Sequence, residues 1–402
     1  MTIGILYPHP LNGSLGSIRR VREIAETLST DLNTKTCIFT PYEQDKLLTP
    51  RVSVKSIPNL FLSLGLSNRL YHLSRIVYYN RYLTKSLLSL TAKNSDKIFS
   101  KKLVGLMRRE KTKVLQAEHD ISLYPAIAAG KQLGIPVVAD LHNIAAEELA
   151  SAGLLIRGSK AFNKIQHFVG ECLDQVDLVC VVSPYMASYV YSNYGISSKK
   201  IVVVTPASRI MKDEIVHVKG AANKVVYSGM VTHREHVDLF IRSIPRVAKS
   251  TRNSEFLITE KGDELVKIKR LAKQLCVNLK TFWFHTEEDL FGFLATCRLG
   301  VLPSSNDEAR KLGTPIKLFD YLSVGLPIVA NDVGSWSTII RENEVGILTE
   351  DDPVQFSSAI KMILDDENMR QKLSENALRL VKDKYNWHKS VEPLVHIYDK
   401  LI

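Results

Sequence analysis

Short apolar runs alternate with longer amphipathic stretches along nearly the whole chain, and this alternation limits the available folds more than any other feature. Apolar runs of this length are typical of strands buried on both faces, so the pattern predicts an α/β fold of parallel sheets with helices on each side. The predicted strands are residues 3–7, 36–39, 114–117, 136–139, 178–182 and 201–204, followed by 224–227, 255–258, 281–284, 299–302 and 327–330.

The series of strands is interrupted once, by the polar stretch 207–223, which we interpret as a linker. A chain of 402 residues is long enough for two hydrophobic cores, since single cores rarely exceed about 250 to 300 residues. We expect a Rossmann-like domain at 1–206, a second at 207–385, and a terminal helix at 386–402 that crosses back to the first. Two doubly wound domains imply a ligand cleft beyond the carboxyl ends of their strands.

The net charge of +11 is concentrated in the first half of the chain: residues 1–206 hold 25 Lys/Arg against 15 Asp/Glu, and the remainder holds 28 against 27. Within that half, residues 69–113 carry twelve basic and two acidic residues, interleaved with apolar residues at helical spacing. Such a segment suits an anionic surface, either lipid headgroups or a phosphorylated acceptor. An ordinary amphipathic helix pair with a solvated basic face is the alternative.

Three features predict a cytoplasmic protein that associates with membranes at most peripherally. No segment approaches the roughly 18 consecutive apolar residues of a membrane span. The first residues enter a predicted strand without the regions of a secretory signal. The five cysteines are widely spaced and lack metal-ligand spacing, so we expect reduced thiols and no metal site.

Two loops in the N-terminal half follow predicted strands and are candidate ligand sites. The loop 8–17 contains Gly13 and Gly16 and leads into a helix whose N-terminus could receive a phosphate. The segment Asp140-Leu141-His142-Asn143 places His142 at the carboxyl end of a strand, where ligands bind in such sheets. A plain strand-to-helix turn and a structural histidine are the alternatives.

Two motifs in the C-terminal half favour a diphosphate site. The turn Ser228-Gly229 allows close approach of a ligand, and Arg234 follows it. The segment 310–330 begins with Arg310 and Lys311 and continues into a Gly-Thr-Pro turn at the start of a helix. The first amides of that helix would bind phosphate oxygens, and Asp320 would bind ribose hydroxyls. A capped helix with solvent-facing charges is the alternative.

These motifs together resemble family 4 glycosyltransferases of the GT-B fold. The resemblance is carried in order by Ser183-Pro184, Tyr227-Ser228-Gly229, Val301-Leu302-Pro303-Ser304, the block 315–330 and Tyr385-Asn386-Trp387. It implies two Rossmann-like domains and a retaining, metal-independent hexosyl transfer from a nucleotide sugar, such as a UDP- or GDP-sugar, with no other cofactor. The acceptor would be a glycan or a lipid-linked saccharide at the cytoplasmic face of a membrane, as in glycan biosynthesis.

Residue by residue, the resemblance assigns His142 to the transferred sugar, Phe284-His285 to the nucleobase, the Ile316-Lys317 amides to the diphosphate and Asp320 to the ribose. The expected catalytic residues are His142, Arg234 and Lys311, and the expected donor-binding residues are Gly13, Gly16, Ser228, Gly229, Phe284, His285, Ser304, Arg310, Thr314, Ile316, Lys317 and Asp320.

Two departures from the family pattern concern the donor site. Leu312 stands where the first Glu of an E-x(7)-E motif is expected, so a contact to the sugar hydroxyls is either missing or supplied from elsewhere, with Asp307 and Glu308 as candidates. Met230 and Glu235 stand where Arg and Lys are frequent. The sequence therefore leaves three alternatives open: a nucleotide-sugar epimerase of the same architecture, a donor-binding relative without catalysis, and, from the basic charge alone, a nucleic-acid-binding protein.

Overall fold

The computed structural model describes residues 1–11, 16–42, 46–57, 87–208, 223–251 and 253–402, with side chains described for all of these except 87–97. These residues form two compact units: Met1–Thr205 together with Val391–Ile402, and Pro206–Ser390. Gly13, residues 69–86 of the basic segment and most of the predicted linker lie outside the described residues.

The first unit is built on an eight-stranded sheet in the order β3-β4-β2-β1-β5-β6-β7-β8. All neighbouring strands pair in parallel except β3 and β4. The strand order reverses between β1 and β5, so connections leave this point in opposite directions. The strands are β1 Thr2–Leu6, β2 Lys35–Thr40, β3 Lys46–Thr49, β4 Val52–Ser56, β5 Thr112–Glu118, β6 Val137–Leu141, β7 Leu178–Val181 and β8 Ile201–Val203.

Amphipathic helices cover this sheet, and local signals set several of their ends. Ser183 caps one helix by accepting a hydrogen bond from the Met186 amide, Pro184 occupies its first turn, and Gly195 ends it with φ 69°. The α-helices are Gly16–Asp31, Leu87–Arg109, Leu123–Leu133, Ala145–Ser151, Lys160–Asp174 and Pro184–Tyr194, and two 3-10 turns are Asp120–Ser122 and Ser198–Lys200.

The last helix of the chain, Trp387–Leu401, contributes its final residues, from Val391, to the first unit. Tyr398 on this helix is fully buried, and its hydroxyl donates to Oε1 of Gln116 at 2.6 Å. The end of the chain is therefore anchored to the centre of the first sheet.

The second unit is built on a six-stranded, fully parallel sheet in the order β11-β10-β9-β12-β13-β14. Side chains alternate between two apolar clusters along β9: Val225 and Tyr227 belong to one, and Val226 belongs to the other. The strands are β9 Asn223–Tyr227, β10 Ser254–Thr259, β11 Leu279–Phe282, β12 Leu299–Leu302, β13 Ile328–Asn331 and β14 Gly346–Thr349.

The helices of the second unit pack against both faces of this sheet. They are Val237–Ser250, Leu265–Gln274, Glu287–Ala295, Glu308–Leu312, Ile316–Ser323, Gly334–Glu342, Pro353–Asp365 and Glu367–Asp383, with a 3-10 turn at His233–Glu235. Within the described ranges, no helix of either unit combines the length and the apolar character that a membrane span requires.

Candidate functional site

In the second unit, the strand order reverses between β9 and β12, which pair directly. Ligands of doubly wound sheets bind outside the carboxyl ends of the strands at such a reversal. Here the two carboxyl ends lead into Ser228-Gly229 and into Pro303-Ser304. Both segments belong to the motifs that the sequence singled out.

Charged side chains converge at this reversal on Glu235. The Glu235 carboxylate forms an ion pair with Nζ of Lys317, and its two oxygens lie 3.3 and 3.5 Å from the terminal nitrogens of Arg310. All three side chains are between 12% and 15% exposed, so one edge of the group faces solvent. We refer to Tyr227, Glu235, Ser304, Arg310 and Lys317 as the Glu235 cluster.

Tyr227 and Gly229 determine where the Lys317 ammonium lies. The ammonium donates to the Tyr227 hydroxyl at 2.8 Å and lies 4.5 Å from the centre of the Tyr227 ring, within the range of a cation–π interaction. Gly229 has φ 150°, and a Cβ at this position would lie only 2.7 Å from Nζ of Lys317. The glycine therefore makes room for the lysine.

The turn amides next to this glycine already have acceptors. The Ser228 amide donates to the Tyr321 hydroxyl at 2.7 Å, and the Gly229 amide donates to Oγ1 of Thr259 at 2.9 Å. Gly229 thus provides space for the Lys317 ammonium. The sequence analysis suggested a different role, in which the Gly229 backbone lies close to a diphosphate.

Hydrogen bonds fix the position of Arg310, one of the two cationic partners of Glu235. Nε of Arg310 donates to Oγ of Ser304 at 2.9 Å, and the Ser304 backbone forms two hydrogen bonds with the Asn331 side chain, of 2.8 and 2.7 Å. Ser304 itself is fully buried. Arg310 is therefore positioned by the buried end of the sheet rather than by surface contacts.

The turn that carries Glu235 ends at His236, which has φ 48°. Its ring nitrogens lie 3.0 Å from Oδ1 of Asp238 and 2.7 Å from Oδ1 of Asp351. The hydrogen bond that His236 donates to Asp238 raises the pKa of His236 to about 9, with Asp351 contributing in the same direction. A charged histidine thus ties the end of this turn to two carboxylates.

Electrostatics keep Glu235 ionised. Burial alone would raise the pKa of its carboxyl, but the charges of Arg310 and Lys317 outweigh burial and lower the pKa to about 2. The pKa of Lys317 is lowered by burial, an effect that Glu235 partly offsets. The cluster therefore holds two cations and one anion at neutral pH.

The helix Ile316–Ser323 begins beside this cluster, with Pro315 before it and no side-chain cap. Ile316 and Lys317 lie in its first turn, where the helix itself offers no acceptor for backbone amides. Asp320 lies one turn later and is only 5% exposed. Thr314, in the preceding turn, is partly buried.

The two departures from the family pattern have clear structural consequences. Leu312 is fully buried, so this position serves packing. Asp307 caps the helix Glu308–Leu312: Oδ1 accepts from the Arg310 amide at 3.1 Å, and Oδ2 accepts from Oγ of Ser305 at 2.6 Å. Asp307 is therefore already engaged, and the expectation that it replaces a sugar-binding glutamate has no support from its contacts.

In the first unit, buried charged residues meet at the carboxyl ends of β5 and β6. The Arg20 guanidinium contacts both oxygens of Asp140, at 3.2 and 3.0 Å. Nε2 of His142 lies 2.8 Å from Oε2 of Glu118 and 3.6 Å from Oδ2 of Asp140. We call Arg20, Glu118, Asp140 and His142 the His142 cluster.

The His142 cluster combines two basic groups with two acidic groups. Burial alone would lower the pKa of His142, but Asp140 and Glu118 outweigh it and raise the pKa to about 8. Arg20 and His142 hold the pKa of Asp140 well below its usual range, although burial opposes them. Burial and the Asp140 charge raise the pKa of Glu118. Arg20 and His142 thus stabilise the ionised form of Asp140, whereas burial and Asp140 oppose ionisation of Glu118.

Three imidazole rings, that of His142 included, lie next to one another at this end of the sheet. His119 has its ring centre 4.2 Å from that of His142 and 5.0 Å from that of His9. Its backbone has φ 60° and ψ 156°, a conformation that non-glycine residues rarely adopt outside functional sites. The three histidines follow different strands, since His9 lies beyond β1, His119 beyond β5 and His142 beyond β6.

The His142 cluster also has the composition of a metal site. Glu118, Asp140 and His142 each offer one ligand atom, and these atoms lie within 4.8 Å of one another. Arg20 contacts both oxygens of Asp140, however, and Nε2 of His142 already contacts Oε2 of Glu118. The three candidate ligands are thus already in contact with one another or with Arg20.

Two family models match the chain and together span almost all of it. The model for Glycosyltransferase Family 4 matches residues 19–207, and that for Glycosyl transferases group 1 matches residues 210–380. The chain belongs to glycosyltransferase family 4. The family resemblance inferred from the sequence is confirmed.

Two curated glycosyltransferases are similar to parts of the chain. Alpha-D-kanosaminyltransferase from Streptomyces kanamyceticus is 25% identical over 180 residues, which cover 44% of this chain and 45% of that protein. Chitobiosyldiphosphodolichol beta-mannosyltransferase from Kluyveromyces lactis is 24% identical over 219 residues, covering 53% of this chain and 44% of that protein. The chain thus spans somewhat less than half the length of either relative.

Solved structures of glycosyltransferases share the fold along the whole chain. Anabaena HepE in complex with UDP-glucose superimposes with a TM-score of 0.72 at 12% identity, covering 100% of both chains. The predicted GT-B fold of this family 4 member is confirmed.

The structure brings together several predicted site residues and separates others. Ser228, Gly229, Ser304, Arg310 and Lys317 meet in or beside the Glu235 cluster. Other predicted residues of the second unit lie apart. Lys311 follows Arg310 on its helix and takes no part in the ion pairs of the Glu235 cluster. Phe284 and His285 follow β11, two strands from β9, and the Phe284 ring lies 5.2 Å from that of Phe293.

The remaining predicted residues are less closely defined. Arg234 belongs to the turn that carries Glu235, and its carbonyl accepts from the Ser305 amide at 3.0 Å. Gly16 is the first residue of the helix Gly16–Asp31, whereas Gly13 lies outside the described residues. His142 is surrounded by carboxylates that the sequence analysis did not assign to it.

Sequence reasoning missed the buried partners in both units. Glu235 was interpreted only as a missing cation, and Tyr227 only as the end of a strand and the first residue of the Tyr227-Ser228-Gly229 motif. Glu118 and Arg20 were not singled out, although Glu118-His119-Asp120 directly follows an apolar run, as Asp140-Leu141-His142 does. Polar residues after two neighbouring parallel strands were the signal that would have linked them.

Proposed function

We propose that this family 4 member is a retaining glycosyltransferase that moves a hexosyl group from a nucleoside diphosphate sugar to a saccharide or lipid-linked acceptor. The observation that carries the proposal is the convergence of Arg310 and Lys317 at the strand-order reversal of the second unit, beside the start of the helix Ile316–Ser323. Anionic ligands bind at helix N-termini flanked by cations.

The charge of this region suits a diphosphate. Arg234, Arg310 and Lys317 are cationic, and each lowers the pKa of Glu235, which is the anion among them. Three positive charges and one negative charge give these four groups a net charge of +2. A diphosphate diester, with one negative charge on each phosphate, would restore neutrality.

The same groups would stabilise the leaving nucleoside diphosphate. As the glycosidic bond breaks, negative charge develops on the phosphate oxygen next to the sugar, and a preorganised donor at that oxygen contributes about 3 to 4 kcal/mol to lowering the barrier. We assign this role to Arg310, Lys317 and the first amides of the helix Ile316–Ser323, and we assign contact with the ribose to Asp320. Because side chains supply the positive charge, we expect turnover without an added divalent metal.

We further propose that His142 contacts the reacting sugar as an imidazolium. Glu118 and Asp140 hold the proton on this ring. A charged donor would interact more strongly with an oxygen of the transferred sugar than a neutral imidazole would.

The relatives suggest the substrate classes. HepE binds UDP-glucose, and the Kluyveromyces lactis relative is named for a dolichol-linked acceptor. We therefore propose a UDP- or GDP-sugar donor and an acceptor at the cytoplasmic face of a membrane, approached through the basic first unit.

A second candidate function is donor binding without transfer. Two observations favour it: Leu312 is buried where a sugar-binding acid is expected, and Glu235 neutralises part of the positive charge. An epimerase would release an altered sugar without any acceptor.

One experiment separates these functions. The purified protein is incubated with UDP-, GDP- and ADP-sugars, with and without short glycan or lipid-linked acceptors and with EDTA, and products are followed by mass spectrometry and anomeric NMR. The proposal predicts a glycosylated acceptor with the anomeric configuration of the donor, formed equally well in EDTA. Donor stabilisation of the protein against heat without product would support the binding function, and epimerised donor without acceptor would contradict both.

A further inference from the structure

A loop on the first unit exposes two aliphatic side chains to solvent. The loop joins the helices Ala145–Ser151 and Lys160–Asp174, and within it Ile156 is 80% exposed and Leu154 is 40% exposed. Ile156 is the most exposed large apolar side chain among the described residues. Single exposed apolar side chains are common on protein surfaces, so the significance of this pair depends on what surrounds it.

The structure holds this loop in place, so the exposure is built into the fold. Arg157 contacts Oε1 of Glu147 with Nε at 3.1 Å and a terminal nitrogen at 3.0 Å, and Glu147 is only 2% exposed. The Tyr189 hydroxyl donates to the same oxygen at 2.7 Å. The Leu154 amide donates to the Leu149 carbonyl at 2.9 Å.

The surface around these aliphatic residues is basic. Between Glu148 and Glu171 the chain contains no Asp or Glu, but it contains Arg157, Lys160 and Lys164. All three are exposed, and the two lysines are four residues apart on the same helix, so they share a face. Aliphatic residues flanked by cations complement a lipid surface with anionic headgroups.

We propose that the loop 152–159 and the start of the following helix form a docking surface for anionic phospholipid. In this surface Leu154 and Ile156 enter the acyl boundary, while Arg157, Lys160 and Lys164 contact lipid phosphates. This surface would supply the membrane contact of the proposed glycosyltransferase. Its role in delivering a lipid-linked acceptor rests on that proposed function.

The test is vesicle co-sedimentation of the full chain. The vesicles are phosphatidylcholine alone and phosphatidylcholine with phosphatidylglycerol, at low and physiological salt. The variants are Leu154→Asp/Ile156→Asp and Lys160→Glu/Lys164→Glu. The matched control is Val266→Asp, which changes an apolar side chain that is 71% exposed in the second unit. Thermal unfolding and UDP binding establish that each variant is folded.

The proposal predicts binding to the anionic vesicles, weakened about tenfold or more by the aspartate pair and by the charge-reversed pair. The control should bind as the unmodified chain does. Absence of binding at low salt would overturn the proposal, and so would equal binding by the aspartate variant, which would assign any membrane contact to another segment. Vesicle binding without binding of any nucleotide would instead contradict the donor site and leave the docking surface standing.

Discussion

Glu235 and Lys317 form an ion pair at the carboxyl end of β9, with the Tyr227 hydroxyl in contact with both. The carboxylate therefore occupies positions around the ammonium that a phosphate oxygen could take. Donor binding would have to share or exchange this contact. Glu235 should therefore weaken donor binding, whereas a residue that contacts the donor directly would strengthen it.

Replacing Glu235 with Gln should strengthen the binding of nucleoside diphosphates by about tenfold, because removing one buried negative charge near the phosphates is worth on the order of 1 kcal/mol. The salt dependence of binding should increase as well. Isothermal titration with UDP and GDP measures both. Weaker binding by the variant would mean that Glu235 chiefly holds Arg310 and Lys317 in place.

Replacing Gly229 with Ala should weaken donor binding while the protein remains folded. The new Cβ would lie 2.7 Å from Nζ and 2.8 Å from Cε of Lys317, and the residue would have to keep φ 150°. The ammonium would move from its place beside Tyr227. Gly292→Ala is the matched control, since nothing lies within 4 Å of a Cβ at that position. Equal donor affinities in the two variants would contradict the role of this glycine.

Replacing Asp140 with Asn should lower the free energy of unfolding of the first unit by about 3 to 5 kcal/mol, because it leaves the Arg20 charge buried without its main partner. The side chains of this pair are 2% and 0% exposed. The control is Asp332→Asn, which breaks an exposed pair with Arg341 and should cost about 1 kcal/mol or less. Urea unfolding compares them, and similar losses in both variants would refute the prediction.

The stability that His142 contributes should depend on pH. Its pKa rises from 6.5 to about 8 on folding, so the contribution is fully present below about pH 6.5 and is lost as the pH rises through 8. A shift of this size corresponds to about 2 kcal/mol. The difference in unfolding free energy between the unmodified chain and His142→Gln should therefore shrink between pH 6 and pH 9. His167→Gln, at a site 78% exposed, should show no such change.

The fold was predictable because buried parallel strands leave continuous apolar runs. All eleven predicted strands are present, with ends that differ by at most a few residues. Strands β3 and β4 were missed because Lys46–Thr49 lies at the sheet edge with exposed residues and Val52–Ser56 alternates apolar and polar residues. Strand β14 was missed because its four residues are mostly half-buried and begin with glycine.

The candidate site was only partly predictable, because its partners are distant in sequence. Residues of single motifs, such as Arg310 and Lys317, could be identified from the turn that joins them. The contacts of Glu235 with Lys317, 82 residues away, and of Arg20 with Asp140, 120 residues away, depend on which strands are neighbours. Strand order is not encoded in local spacing. Glu235 therefore looked like the loss of a cation in the sequence, whereas in the fold it forms an ion pair with Lys317.

The central claim is that Arg310 and Lys317 bind the diphosphate of the donor. It is tested most directly by isothermal titration of UDP, GDP and ADP into the unmodified chain and into Arg310→Met/Lys317→Met, with Lys267→Met, 72% exposed, as the control. The account predicts that at least one nucleotide binds the unmodified and control proteins and binds the double variant at least about a hundredfold more weakly, since two charge-assisted contacts are lost. Unchanged affinity in a folded double variant would contradict it.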